Sequence, residues 1–379
     1  MFTEKADRDN KAKALYDTAA VMGVGLIGGS LALSFKRSHL VGTVLGVSSE
    51  RTISRALDLG VIDEGFPREQ AAEALGRADL VVLGAPVSVI LEQLAVIGPQ
   101  LKPGATVTDV GSTKRVIVQA ARRHLPGTVN FVGGHPMAGA EATGVEAADP
   151  FLFQNAMYVL CPGTTPAQEQ AALIYGELVS AIGARVLTMS PERHDSVAAA
   201  ISHLPQMLAV TLMNLAAGYN QSDPNTLKLA AGGFRDLTRI ASSDFSIWRD
   251  ILETNRDEVT GAIDDFIEQL GLLRKLVGSQ ELGKRFEEAA AARALIHKDA
   301  KGFITPVFEI VVTAPDEMGV IRRIATGLAD EGINIKDIEV LKVREGEGGT
   351  IMVGFTTESE RERSISILEG LGFPSRSRD

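Results

Sequence analysis

The chain has 379 residues, which is more than one ordinary hydrophobic core can hold, so two or three domains are expected. Apolar residues make up 45% and charged residues 23%, which is the composition of a soluble globular protein. The formal net charge of −10 argues against a nucleic-acid partner, and no basic tract or transmembrane-length apolar run points to a membrane. The only cysteine, Cys161, cannot form an intramolecular disulfide, so we expect a cytoplasmic protein.

The order of apolar patterns along the chain predicts four segments. Residues 1–18 are polar and are expected to form a flexible tail. Over residues 19–189 short apolar runs alternate with amphipathic stretches, which predicts a doubly wound α/β domain. Residues 190–300 have helical periodicity, and the segment starts with a capping serine followed by proline, Ser190-Pro191. Residues 306–379 follow the order strand, helix, strand, strand, helix (βαββα), typical of a small α+β domain.

The first predicted strand ends in a glycine-rich turn, Gly23-Val24-Gly25-Leu26-Ile27-Gly28. In a Rossmann-type domain such glycines allow a tight turn, a close approach of the backbone to a pyrophosphate, and close packing of the helix on the strand. The helix that begins there offers unpaired N–H groups to the phosphates. We therefore predict cofactor contacts at Gly23, Gly25, Leu26, Ile27 and Gly28. Taken alone, the motif also fits a glycine-rich turn without a ligand.

The end of the second predicted strand distinguishes between two cofactors. An NAD site usually has Asp or Glu there, about twenty residues past the glycines, to bind the ribose 2′-hydroxyl. This chain has Ser48 and Ser49, followed by Glu50 and Arg51. Because hydroxyls and an arginine suit a 2′-phosphate, the sequence favours NADP over NAD, with Ser48, Ser49 and Arg51 as its ligands. A Glu50 side chain turned inward would favour NAD instead.

Two polar loops follow later apolar runs, Asp109-Val110-Gly111-Ser112-Thr113-Lys114 and Gly133-Gly134-His135-Pro136-Met137-Ala138-Gly139. His135 is the only side chain in its loop that can exchange a proton near neutral pH. Ser112 can hydrogen-bond the histidine or cap the next helix. A hydride carrier, a proton acceptor and a hydroxyl on successive loops of one sheet predict a dehydrogenase with His135 and Ser112 as catalytic residues. We predict no metal site.

Further motifs in the helical segment extend this pattern. Ser-His-Leu-Pro and Gly-Gly-Phe-Arg-Asp-x-Thr-Arg follow the three motifs above, and in this order the five resemble the prephenate/arogenate dehydrogenases of tyrosine biosynthesis. The resemblance covers about residues 19–300, and the segment after 305 looks like an ACT domain. It implies oxidative decarboxylation of prephenate to 4-hydroxyphenylpyruvate with NAD(P), or, as the alternative, of arogenate to tyrosine.

The resemblance also implies which residues contact the substrate. It makes His135 the catalytic histidine and Ser112 its neighbour, and it assigns His203 and Arg239 to the substrate site. Prephenate carries two carboxylates, so Arg239 is the candidate for the ring carboxylate, and Arg235, four residues earlier, is expected to frame the cleft. Many members of the family have a second histidine where this chain has Gln206, which leaves the choice between prephenate and arogenate open.

The remaining histidines and two rival functions fit the sequence motifs less well. His39, His124, His194 and His297 match no motif and are expected at the surface. A β-hydroxyacid dehydrogenase would share the fold but needs a catalytic lysine, for which Lys228 is the only obvious candidate. A metabolite sensor without activity is the second rival, and the presence of Ser112, His135 and Arg239 argues against it.

The last two segments are expected to mediate assembly and regulation. Helical runs such as 198–201 and 208–213 are apolar nearly all round, which together with the resemblance predicts a homodimer through the helical domain. ACT domains bind amino acids near the loop before their first helix. The resemblance therefore implies that Met318, Gly319 and Asn334 hold L-tyrosine as an effector; a domain used only for dimerisation is the alternative.

Overall fold

The computed structural model describes residues 14–139, 142–296, 308–344 and 348–378. The chain divides into two compact units, Met1–Glu288 and Ala289–Asp379. The first contains the α/β domain and most of the helical segment, and the second contains the small α+β domain.

The α/β domain is built on one eight-stranded sheet, covered by helices. Its strands are β1 (Tyr16–Met22), β2 (Val41–Ser48), β3 (Glu64–Pro67), β4 (Leu80–Leu83), β5 (Thr106–Asp109), β6 (Asn130–Pro136), β7 (Met157–Pro162) and β8 (Arg185–Thr188). Its helices are α1 (Leu26–Ser38), α2 (Glu50–Asp58), α3 (Ala71–Arg77), α4 (Val87–Ile97), α5 (Arg115–His124) and α6 (Pro166–Ala181).

The strand order is β3-β2-β1-β4-β5-β6-β7-β8, with β1 to β6 parallel and β7 antiparallel to β6. This is the predicted Rossmann-type fold. In such a sheet the chain order reverses between β1 and β4, and ligands bind beyond the carboxyl ends of those strands. The glycine turn after β1 and the polar loop after β5 both lie on that edge, which explains why motifs distant in sequence form one site.

The predicted tail is wrong at its carboxyl end, because β1 begins at Tyr16. Tyr16 pairs with Val41 and is buried. The exposed Asp17 that follows it interrupts the apolar pattern, and for this reason the sequence predicts a start at residue 19. Residues 1–13 lie outside the described part of the chain.

The helical segment comprises α7 (Pro191–Ala198), α8 (Leu204–Ser222), α9 (Gly232–Thr238), α10 (Phe245–Thr254), α11 (Arg256–Leu276) and α12 (Glu281–Ala294). As predicted, Ser190 caps α7, and its hydroxyl accepts a hydrogen bond from the N–H of Arg193. A single π-helical turn, Ala199–His203, joins α7 to α8. Pro205 explains this turn, since proline has no N–H and its ring clashes with the carbonyl four residues earlier in a regular helix.

The continuous helical run Pro191–Ser222 is long and apolar enough, by length and composition, to cross a membrane. It nevertheless carries four buried polar side chains that hydrogen-bond to other parts of the same unit: His194, Asp195, His203 and Gln206. Such side chains are typical of a helix that packs inside a folded domain.

The second unit is a four-stranded antiparallel sheet with two helices on one face. Its elements are β9 (Phe308–Ala314), α13 (Val320–Asp330), β10 (Asp337–Arg344), β11 (Gly348–Phe355), α14 (Glu358–Gly370) and β12 (Ser375–Ser377), with the strand order β10-β11-β9-β12. The predicted βαββα order lacked β12. That strand has only three residues, Ser-Arg-Ser, so no apolar alternation indicates it, and it forms by pairing with β9.

Candidate active site

A cleft of about 1130 Å³ opens at the carboxyl ends of β1, β2 and β4. Two glycines of the first turn are fixed by their surroundings: a Cβ on Gly23 would lie 2.6 Å from the carbonyl oxygen of Gly84, and one on Gly28 would lie 2.1 Å from that of Gly23. Gly25 also lines the cleft, and no atom lies within 4 Å of the position that an added Cβ would take. The turn therefore leaves open backbone at the start of α1, where pyrophosphate binds in such folds.

Of the residues predicted to contact the cofactor, Gly23, Gly25, Ser48 and Arg51 line the cleft. Leu26, Ile27 and Gly28 lie behind them in the first turn of α1, and Ile27 packs against the core. Ser49 does not line the cleft either, because its side chain caps α2 and accepts a hydrogen bond from the N–H of Thr52.

Two further arginines line the same cleft, Arg55 and Arg68. Arg55 lies one helical turn after Arg51 on α2, a spacing that places both on one face and could have been noticed in the sequence. Arg68 follows β3 and comes from a separate loop, so no local pattern links it to the other two. Glu50 is exposed and lies outside the lining, whereas Asp58 is part of it.

His135 lies at the end of β6 and begins a chain of buried hydrogen bonds. Its Nδ1 is 2.8 Å from Nε2 of His194, and Nδ1 of His194 is 2.8 Å from the Oδ1 of Asp195. The two carboxylate oxygens of Asp195 also accept hydrogen bonds from the N–H groups of Lys114 and Arg115, at 2.7 and 2.9 Å. Asp195 therefore caps the start of α5 from another element of the fold.

The direction of each hydrogen bond in this chain follows from the charge of Asp195. Burial acts to raise the pKa of Asp195, but hydrogen bonds from His194 and the two backbone N–H groups outweigh it, so the pKa is lowered and the group is a carboxylate. A carboxylate only accepts, so His194 donates from Nδ1, and a neutral His194 ring then accepts at Nε2 from the Nδ1–H of His135. The lone pair of His135 is then on Nε2.

The protonation state of His135 is consistent with a base. Burial, followed by the nearby His194, Lys114 and His203, holds the pKa of His135 well below its usual range. The ring is therefore neutral at physiological pH, and its Nε2 has an available lone pair. Such a group can accept a proton from a bound hydroxyl.

The expected surface position of His194 is wrong, because the side chain is 2% exposed. Four buried residues of α7 lie on one face at positions i, i+3, i+4 and i+7: Pro191, His194, Asp195 and Ala198. That helical spacing is present in the sequence, but two of the four residues are polar, so the buried face has no apolar pattern. His39 and His124 are exposed as expected, and His297 lies outside the described residues.

A buried ion pair fixes the backbone directly before His135. Lys114 and Asp109 are both fully buried, and the ammonium group of Lys114 contacts the Asp109 carboxylate and the carbonyl oxygen of Gly134, the latter at 2.6 Å. Asp109 also accepts hydrogen bonds from the N–H groups of Gly111 and Gly134. The pair thus joins the ends of β5 and β6, and the sequence reasoning assigned it no role.

Ser112 is half-buried and makes no hydrogen bond among the described residues. No hydrogen bond joins Ser112 to His135 among the described residues, in which Nδ1 of His135 pairs with His194. Ser112 does not cap α5 either, because Asp195 does so.

His203 ends the π-helical turn and is buried beside Trp248, whose ring centroid lies 6.0 Å away in an edge-on arrangement. Burial first, and then repulsion from His194, lower the pKa of His203 to about 4 despite the opposing effect of Asp195. The structure therefore places a second buried histidine, neutral at physiological pH, in the region of His135.

The predicted arginines lie on the exposed surface of the helical segment. Arg235 is in α9, and Arg239 begins a short 3₁₀ turn, Arg239–Ser242. Gln206 is 2% exposed, and its side-chain amide donates a hydrogen bond of 3.0 Å to the carbonyl oxygen of Ile240 in that turn. Gln206 thus anchors the backbone next to Arg239. Lys228, the candidate of the rival dehydrogenase class, is exposed and donates to Asn225.

The second unit contains a separate cavity of about 260 Å³ next to the loop before α13. Gly319 lines it and has a left-handed backbone (φ 85°), which favours glycine. Met318 and Asn334, predicted to share this site, are exposed and do not line the cavity. Val340 and Ile351, from the adjacent strands, do line it.

Together, a dinucleotide cleft at the switch point of a parallel sheet and a buried neutral histidine beyond an adjacent strand define a nucleotide-dependent dehydrogenase. Family models match three parts of the chain: prephenate dehydrogenase, nucleotide-binding domain, at residues 31–188; prephenate dehydrogenase, dimerization domain, at 190–289; and ACT domain at 308–365. The chain belongs to the prephenate dehydrogenase family. This confirms the resemblance and the predicted fold.

Individual relatives agree with this assignment. The chain is 37% identical over 361 residues to a prephenate dehydrogenase of Bacillus subtilis, and the aligned region covers 93% of this chain and 96% of the relative. It resembles the crystal structure of A. aeolicus prephenate dehydrogenase in complex with hydroxyphenyl propionate and NAD+, with a TM-score of 0.69, 34% identity, and coverage of 74% and 98%. Synechocystis arogenate dehydrogenase gives a TM-score of 0.65 at 32% identity, with coverage of 74% and 100%.

Proposed function

We propose that this protein is a prephenate dehydrogenase that oxidatively decarboxylates prephenate to 4-hydroxyphenylpyruvate, with His135 as the general base. The observation that carries the proposal is the hydrogen-bonded chain from Asp195 through His194, which leaves Nε2 of His135 with its lone pair available. The nicotinamide cofactor, when bound, accepts hydride from the hydroxyl-bearing ring carbon. The open backbone at Gly25 and the close-packed Gly23 and Gly28 fit such a cofactor.

The chain's own residues handle the proton and the orientation of the substrate. Nε2 of His135 would accept the hydroxyl proton as hydride leaves. Loss of carbon dioxide then leaves the electron pair of the broken bond in the ring, which becomes aromatic, and His135 returns the proton to the ring oxygen. The positive charge that develops on His135 is stabilised through His194 by the Asp195 carboxylate. The Lys114–Asp109 pair fixes the peptide before His135 and so limits movement of the ring.

Arg239 is proposed to bind the ring carboxylate, and Arg235 to frame the entrance. Two variants test the roles of His135 and Arg239. His135→Asn should lower kcat about 10²- to 10⁴-fold, the usual cost of losing a general base, with little change in KM. Arg239→Ala should instead raise KM for prephenate, because a substrate carboxylate loses its partner. Near-normal turnover by His135→Asn would refute the assignment of the base.

Prephenate is proposed ahead of arogenate because the B. subtilis relative, which spans nearly the whole chain, is a prephenate dehydrogenase. Arogenate remains the second candidate, since Synechocystis arogenate dehydrogenase shares the fold at 32% identity. Steady-state assays with both substrates at saturating cofactor decide between them. A higher kcat/KM for arogenate would reverse the order.

NADP is proposed as the preferred form of the pyridine nucleotide. Three arginines line the cleft, Arg51, Arg55 and Arg68, and Ser48 lies with them, a set that suits a 2′-phosphate. Arg51→Ala should lower kcat/KM with NADP+ much more than with NAD+, whereas Arg123→Ala, at the exposed end of α5, should change neither. A wild-type preference for NAD+ would refute the proposal.

Tyrosine is proposed as a feedback inhibitor that binds the ACT cavity near Gly319. We expect Val340→Trp to fill the cavity and abolish inhibition by tyrosine while basal turnover is retained. Ile338→Trp is a matched control, because Ile338 lies two residues earlier on β10 and outside the cavity lining. If Val340→Trp is inhibited like the wild type, tyrosine acts elsewhere.

A homodimer is proposed through the helical segment, which matches the family's dimerization domain. Several large apolar side chains of this segment are exposed within one chain, including Leu215, Tyr219, Leu237 and Ile247. A surface of this kind is typical of an interface between protomers. Light scattering that gives a monomer mass at micromolar concentration would refute the dimer.

A further inference from the structure

Asn255 is a fully buried residue at the junction of α10 and α11, and its side chain lies between two elements of the site. Its amide nitrogen donates a hydrogen bond of 2.8 Å to the backbone carbonyl oxygen of Asp195. The same nitrogen is 3.3 Å from Nδ1 of His203. One side-chain amide therefore contacts both the residue that ends the His135 chain and the second buried histidine.

The orientation of the Asn255 amide is determined by its surroundings. A backbone carbonyl oxygen only accepts hydrogen bonds, so the NH2 group, and not the oxygen, must face Asp195. The NH2 group has two hydrogens, and the second is available to Nδ1 of His203. A protonated Nδ1 would have no acceptor in that direction, because an amide nitrogen does not accept hydrogen bonds.

The tautomer of His203 follows from this orientation. The ring is neutral at physiological pH, because burial lowers its pKa to about 4. A neutral imidazole that accepts at Nδ1 carries its proton on Nε2. No hydrogen bond between Nε2 and a described residue is present, so this N–H has no acceptor within the described part of the chain.

We propose that Asn255 is a positioning residue that holds His203 in its Nε2–H form, so that His203 donates a hydrogen bond to an oxygen of the bound substrate. His135 is held in the other neutral tautomer, with its proton on Nδ1, and its Nε2 is an acceptor. Two histidines of the same site thus have different roles, and the difference comes from their neighbours: Asp195 acting through His194 in one case, and Asn255 in the other.

The part of this proposal that concerns the substrate rests on the proposed function, whereas the part that concerns the tautomer does not. The test therefore begins without substrate, on the full-length enzyme with ¹⁵N-labelled histidine. The chain has six histidines, and loss of one signal set in His203→Gln assigns His203. Long-range ¹H–¹⁵N correlations distinguish the two neutral tautomers, and we expect Nε2–H for the wild type.

Asn255→Asp is the decisive variant, because a carboxylate in this position accepts a hydrogen bond from Nδ1. We expect His203 to change to the Nδ1–H form, and KM for prephenate to rise about tenfold with a smaller change in kcat, as one hydrogen bond is lost. KM for the cofactor should not change. Asn255→Ser, which removes the amide in a smaller side chain, is expected to give a mixture of tautomers and covers the case in which Asn255→Asp fails to fold.

Asn220→Asp is the matched control in the same domain. The Oδ1 of Asn220 accepts from the N–H of Leu227, a bond that aspartate also makes, so neither the His203 signals nor KM should change. An Nδ1–H signal for wild-type His203, or an unchanged tautomer in both Asn255 variants, overturns the positioning role. A changed tautomer with unchanged KM overturns donation to the substrate. Failure of the proposed function is distinct, since the wild type would then turn over neither prephenate nor arogenate.

Discussion

Replacing His194 by phenylalanine should lower kcat without abolishing substrate binding. Phenylalanine keeps a ring of similar shape in a buried site but removes the acceptor for the Nδ1–H of His135, which lies 2.8 Å away. The productive tautomer of His135 then has an unpaired buried N–H, which costs about 1–3 kcal/mol. A tenfold change in rate corresponds to about 1.4 kcal/mol, so turnover should fall roughly 5- to 150-fold.

The assay is steady-state turnover of prephenate with saturating cofactor, compared with His124→Phe, in which the same substitution is made at an exposed histidine at the end of α5. The control should match the wild type. KM of His194→Phe should stay within a few-fold of the wild-type value, since the missing bond lies behind the base and not on the substrate. Turnover within twofold of the wild type would show that the chain from Asp195 does not set the state of His135.

The pH profile gives an independent measure of the same interaction. A general base is active only when it is neutral, so kcat/KM falls as the pH drops through the pKa of His135. Burial is the largest cause that lowers this pKa, so the acid limb of the wild type should lie below pH 6.5. Phenylalanine at position 194 cannot accept from the Nδ1–H of His135, so the charged ring loses its stabilising link to Asp195, and the limb should move to lower pH in His194→Phe. An unchanged limb would contradict the electrostatic part of the argument.

The sequence was sufficient for the fold because local patterns determine it. Apolar runs at strand spacing, the glycine turn after β1, and the Ser190-Pro191 helix start each act over a few residues, and the structure contains all three where they were predicted. Short polar elements cannot be predicted from such local patterns. The strand β12 and the residues 16–18 of β1 depend on pairing with a neighbouring strand and have little apolar pattern of their own.

The candidate site was predictable only in part, for a related reason. His135 stands in a recognisable motif at the end of β6, but its partner His194 comes 59 residues later on a helix with no motif. Asn255 comes 60 residues after the Asp195 carbonyl to which it donates. Such contacts are decided by the docking of the helical segment on the sheet, and sequence spacing does not show them. Ser49 is the opposite case, because a local helix cap engages the hydroxyl for which the sequence predicts a cofactor contact.

Three further substitutions test the remaining contacts. Gly28→Ala should weaken cofactor binding and lower the melting temperature, because its Cβ would lie 2.1 Å from the Gly23 carbonyl oxygen, and titration with NADP+ together with thermal unfolding checks both. Gln206→Met, which keeps the length but removes the donor, should raise KM for prephenate more than it lowers kcat, because the turn next to the arginine loses its 3.0 Å anchor. Lys114→Met should lower the free energy of unfolding by about 3–5 kcal/mol, since it leaves the fully buried Asp109 carboxylate without its counter-charge. In Lys114→Met/Asp109→Asn the side chain at 109 is neutral and its one amide oxygen still accepts from one of the two backbone N–H groups, so urea denaturation should show part of the loss recovered. A double variant as unstable as the single one would mean that the cost comes from packing around the missing ammonium group and not from an unpaired charge.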